Sequence, residues 1–175
     1  MTSKELIRKS EFYLKDHCSE ALPLNAKIFS AGALWMAGQL SVIDKSRETR
    51  VNANISFGWY GIMKYGMCMG AFVLSLWWLM QHHFLLAPFS VVVFYFFEVH
   101  FLFLFPLLID DVKKPVLESI SQTYKTGLLK TMLTVIPIGF YMIIGLFNRK
   151  SPYKNWYVGS LAIIIWYQHE IRNRI

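Results

Sequence analysis

Charge is what this chain has least of. Only 17% of its 175 residues are Asp, Glu, Lys or Arg, against about 25% in an ordinary soluble domain. The deficit is local: residues 67–80, 84–97, 101–109, 131–147 and 155–169 contain no charged side chain at all. Cysteine is scarce too. Cys18 lies in a polar segment and Cys68 in an apolar one, which excludes a disulfide scaffold and any cysteine-based zinc spacing. No phosphate-binding loop, dinucleotide glycine pattern or GxSxG elbow occurs, and no internal repeat is visible. Met1–Glu20 lacks the apolar central run of a secretory signal.

What is present is apolar: 55% of residues are hydrophobic and 17% aromatic. Together with the uncharged stretches this implies an all-α, polytopic integral membrane bundle folding as a single domain over residues 1–175. Four spans are expected, at 57–80, 85–109, 128–147 and 156–170, and segment 24–43 is a candidate fifth. That segment is diluted by Asn25, Lys27, Gln39 and several small residues, so it is expected to be half-inserted or packed against the bundle. The first span contains Gly66-x-x-x-Gly70, a spacing that lets a neighbouring helix approach closely. The second is 25 residues long, about 37 Å of helix. That exceeds a hydrocarbon core of about 30 Å, so a tilt or kink is expected, with Pro106 loosening its exit. Pro137 predicts a kink in the third. Trp156/Tyr157 and Trp166/Tyr167 bracket the last as aromatic belts mark membrane interfaces.

Two polar segments are patterned as helices. In residues 1–22, Thr2 and Glu5 have capping-box spacing, and Leu6, Ser10, Tyr13, Leu14 and His17 share a face. That amphipathic helix, ended by Pro23, is expected to lie in the interface or to pack on a partner protein. Residues 110–127 place Val116, Leu117, Ile120 and Tyr124 on one face and read as a second interfacial helix, capped by Asp110 and Asp111 with Lys113 and Lys114 as counterions.

The net charge is +7, and the cations border apolar segments, as anionic headgroups favour. They form no groove-sized patch interleaved with aromatics, so nucleic acid is not an expected partner. Membrane lipids are, and so is a protein partner or a second copy of the chain. If the four spans cross and 24–43 does not, 13 Lys and Arg fall on one side and 3 on the other, with Lys64 and Lys130 inside spans. The bias puts both termini in the cytoplasm or its equivalent, across a prokaryotic-type inner membrane or an organellar inner membrane.

Ionisable residues inside spans mark function by default. Counting residues from the turns brings Lys64 within about one helical turn of the depth of Glu98, and puts Tyr141, His169 and Glu170 at a similar level. A buried polar cluster of Glu98, His100, Lys64, Tyr141, His169 and Glu170 is therefore the candidate binding site, although His100 points about 200° away from Glu98 on a regular helix. Metal ligation is the sharpest alternative, with His82 and His83 as weak candidates. However, none of the five histidines forms the HxxxH or HxxHH boxes of membrane desaturases and hydroxylases. Asp110-Asp111 also lacks the further Asp of an Asp-rich prenyltransferase motif. No cofactor is expected. The leading functional expectation is a small non-catalytic membrane component: a complex subunit, assembly partner or transport-type protein. The alternative is a membrane-embedded enzyme that modifies a lipid or isoprenoid, with or without a metal at its His and Glu residues.

Overall fold

The computed structural model describes residues 1–16, 28–44, 51, 52, 54–148 and 153–174. The expectations for Cys18, His17, Pro23, Asn25 and Lys27 lie outside them. The described residues form α-helices and short 3₁₀ turns, with no strand among them. In order, they are α1 (Ser3–Asp16), α2 (Ile28–Ile43), α3 (Phe57–His82), α4 (Phe89–His100), α5 (Leu104–Ile109), α6 (Pro115–Thr126), α7 (Leu128–Leu146) and α8 (Lys154–Glu170). Three segments are long and apolar enough to cross a membrane: Phe57–His82, Phe84–Ile109 and Leu128–Leu146.

The second of these is not one helix. After a 3₁₀ turn at Phe84–Leu86, α4 stops at His100 and α5 begins at Leu104. Pro106 is the physical cause: it has no N–H for the carbonyl of Leu102, and its ring crowds that carbonyl. The effect of Pro106 thus falls upstream, mid-segment, rather than at the exit. Irregular backbone at membrane depth survives only where protein covers it, and every residue from Phe101 to Ile109 is buried. Two hydroxyls of α6 serve the broken end. Ser119 donates to the carbonyl of His100 at 2.8 Å, and Thr123 to that of Val99 at 3.0 Å. In contrast, α7 continues as helix through Pro137.

The centre of the bundle is α8. Val158, Leu161, Ala162, Ile164, Trp166 and Tyr167 are all buried, and they point in every direction around its axis, the pattern of a helix enclosed on all sides. It lies antiparallel to α7. Gly145 accommodates Asn155 at one end, Gly159 accommodates Met142, and Lys130 meets Glu170 at the other end. The aromatic-belt reading of Trp166 and Tyr167 is therefore corrected: Trp166 packs edge-on against Phe103, and Tyr167 donates to Asp110 at 2.7 Å.

The capping box at the start of α1 forms. The Thr2 N–H donates to Glu5 at 2.9 Å, and the Glu5 N–H to the Thr2 hydroxyl at 3.4 Å. The backbone donor of Thr2 holds the Glu5 carboxyl below its ordinary value. However, α1 does not lie across the bundle end. Met1–Ser3 sit beside Leu129–Thr134, and Glu11 accepts from the Tyr141 hydroxyl at 2.7 Å, so α1 runs alongside α7 in the same direction. Leu6 and Ser10 are buried in this arrangement, and α1 packs against α8 as well as α7.

Helix α2, 16 residues and about 24 Å long, packs on α3, α5 and α8 through Ala33, Ala37 and Leu40. The close-approach reading of Gly66 and Gly70 is also corrected, because nothing lies within 4 Å of where a Cβ would stand at either position. The glycine of α3 that admits a neighbour is Gly61, which faces the ring of Phe29.

Candidate functional site

Lys64 and Glu98 meet across the α3–α4 contact. Lys64 lies seven residues into a helix of 26, about 10 Å from its start. Its ammonium stands 2.7 Å from a Glu98 carboxylate oxygen, with side-chain exposures of 6% and 16%. The second carboxylate oxygen accepts from the Cys68 thiol at 3.6 Å. Cys68 is one turn beyond Lys64, so the two side chains share a face of α3 and grip the carboxylate from one side. The ammonium also lies 5.3 Å from the ring centre of Tyr65 and 5.9 Å from that of Phe105, within cation–π range. Phe29 of α2 stacks on both of those rings. Phe105 lies in α5, beyond the break that follows α4.

The other expected members of the cluster are elsewhere. His100 lies 2.6 Å from the Phe96 carbonyl through Nδ1 and 3.2 Å from the Tyr124 hydroxyl through Nε2, which ties α4 to α6. Tyr141 donates to Glu11. Glu170 is 3.4 Å from Lys130 and 3.2 Å from Arg174, and His169 beside it is mostly exposed. The single expected cluster is thus several separate ones.

His82 packs edge-on against Trp78, and the His83 ring accepts from the Leu85 N–H at 3.2 Å. Among the described residues, no three His, Cys, Asp or Glu side chains converge to hold a metal ion.

A second polar assembly is one that sequence reasoning misses. Buried Arg172 donates to Asp110 at 2.9 Å and lies 3.6 Å from Asp44. Gln168 donates to Asp44 at 3.0 Å, and Tyr167 closes on Asp110. The counterion expectation for Asp110 is corrected accordingly: its cation is Arg172, not Lys113 or Lys114. Nor do the two aspartates cap α6, whose N-cap is Lys114 in the left-handed region at φ 56° with no side-chain cap. The available signal was the adjacency of Tyr167, Gln168 and Arg172 at i, i+1 and i+5 at the end of the chain, facing acids at the ends of α2 and α5.

Comparison of the chain with family models, curated proteins and solved structures finds no match.

Proposed function

We propose that the chain is a small non-catalytic integral membrane component, a complex subunit, assembly partner or transport-type protein, that works through the buried pair of Lys64 and Glu98. The observation that carries this reading is the 2.7 Å ion pair between two candidate spans, one turn before a break in the second. A buried pair is a poor choice for stability alone, because well-packed apolar residues of similar size hold helices together as well or better. Ionisable side chains beside interrupted membrane helices suit the binding or passage of a polar group.

In this reading α8 makes a fourth crossing inside the bundle, and α2 packs against it without completing a fifth. Both termini face the cytoplasm or its equivalent, across a bacterial-type or organellar inner membrane. An impermeant thiol reagent should therefore label His82→Cys in intact cells. Labelling only after permeabilisation would reverse the orientation.

The decisive variant is Glu98→Gln, which keeps the shape and removes the charge. Native purification in mild detergent should recover this variant inserted and folded, though less stable, and without most of the partner or ligand held by the wild type. Full retention in Glu98→Gln, together with unfolding of Glu98→Leu, would make the residue structural. Turnover of an added lipid extract would favour the lipid-modifying enzyme instead.

A further inference from the structure

Helix α6 has two faces with different work. Ser119, Gln122 and Thr123 are buried, and two of them hold the broken end of α4. The opposite face presents Leu117 at 63% and Tyr124 at 57% exposure. At 100° per residue, Leu117, Ser121 and Tyr124 form one outward line of α6 with Lys125 on its flank, and Lys113 and Lys114 lie in the turn that leads into the helix. All three lysines are exposed. The local acids are Asp110, Asp111 and Glu118. Asp110 is occupied by Arg172, Glu118 accepts from Gln122 at 2.7 Å and lies 3.9 Å from the exposed Lys125 ammonium, and Asp111 is exposed. Two large apolar side chains flanked by snorkelling lysines match the boundary between acyl chains and headgroups.

We propose that the outward face of α6 docks on the anionic phospholipid headgroups of the adjacent leaflet, with Leu117 and Tyr124 at the acyl boundary and Lys113, Lys114 and Lys125 on the phosphates. The proposal rests on the membrane reading above but not on the role of Glu98. Each lysine near an anionic surface contributes roughly fivefold to affinity, so losing all three weakens binding by at least about tenfold even with Asp111 opposing. Because α6 clasps the carbonyls of Val99 and His100, a lipid that binds only the docked helix stabilises the folded bundle.

The test is the melting temperature of the full-length protein in neutral detergent, with added phosphatidylglycerol, phosphatidylcholine of the same acyl chains, or glycerol phosphate. Phosphatidylglycerol should raise Tm by about 2–4 °C or more, and the other two should not. The shift should vanish in K113Q/K114Q/K125Q and persist in K4Q/R8Q/K9Q, which neutralises three exposed cations of α1. An equal effect of phosphatidylcholine or of free glycerol phosphate, a full shift in the α6 variant, or loss of the shift in the α1 variant would each overturn the proposal. If the triple α6 variant does not fold, Lys114→Gln and Lys125→Gln must each reduce the shift, and undiminished shifts in both overturn it. Full activity of Glu98→Gln would leave this result untouched, so the two readings fail independently.

Discussion

Segments Phe57–His82 and Phe84–Ile109 are consecutive, equally long and both apolar, yet 11% of an apolar 18-residue stretch is buried in one and 56% in the other. Along α3 the large side chains Trp59, Ile62, Met69, Val73, Leu74, Trp77 and Trp78 face outward. The following segment begins equally exposed at Phe84, Leu85 and Phe89, then is enclosed completely from Phe101 onward. Hydropathy measures suitability for a water-free environment, and lipid and protein interior satisfy it alike. Length separates them no better. Helix α8 has buried residues all around its axis, but its 17 residues give only about 26 Å.

The sharpest way to break this contrast is to remove one indole from each region. Trp166→Ala empties a fully buried site against Phe103 and should cost about 3–5 kcal/mol of unfolding free energy. Trp77→Ala removes a side chain 64% exposed on α3 and should stay within about 0.5 kcal/mol. Denaturation in detergent reads both, and equal losses would mean that the exposed face of α3 is covered by protein.

The ion pair joins the two segments, so it measures their coupling. Lys64→Met or Glu98→Gln alone leaves a buried partner unmatched and should cost about 3–5 kcal/mol, while the double variant costs less than the sum. Strictly additive losses in a thermal double-mutant cycle would show that the two charges act separately.

The smallest effect lies within α3 itself. An added methyl at Gly61 would stand 2.5 Å from the ring of Phe29, which is held between Tyr65 and Phe105. Gly61→Ala should therefore lose about 1–3 kcal/mol. Gly66→Ala and Gly70→Ala face open space and should keep or slightly raise stability, because alanine favours helix. A clear loss at Gly66 would restore a close helix neighbour there.

Legibility followed geometry. The helical class, the three long apolar segments, the Thr2/Glu5 cap and the common depth of Lys64 and Glu98 could be read by counting residues along helices. Counting gives height in the bundle but not position around it. It puts Tyr141 and Glu98 at similar heights, yet Tyr141 is turned toward α1 and bonds Glu11. Glu170 likewise lies between Lys130 and Arg174 because α8 packs along α7. The lateral order of helices depends on summed shape matching, such as Gly159 against Met142 and Gly145 against Asn155, and no single spacing announces it. The site of the break was equally hidden, since a proline marks a missing donor while the helix yields at the carbonyl one turn earlier.

The place of α1 bears on how the protein is made. Glu11 and its partner Tyr141 are 130 residues apart, and α1 packs against α7 and α8, which are synthesised well after it. At about 5–20 residues per second, the ribosome needs between about 7 and 26 s after Glu11 to deliver Tyr141, and longer to deliver α8. During that interval the buried face of α1 lacks the α7 and α8 partners that cover Leu6 and Ser10 in the fold. The contact that fixes α1 in the bundle is thus among the late ones to form, and α1 takes its place only once α7 and α8 are there to receive it.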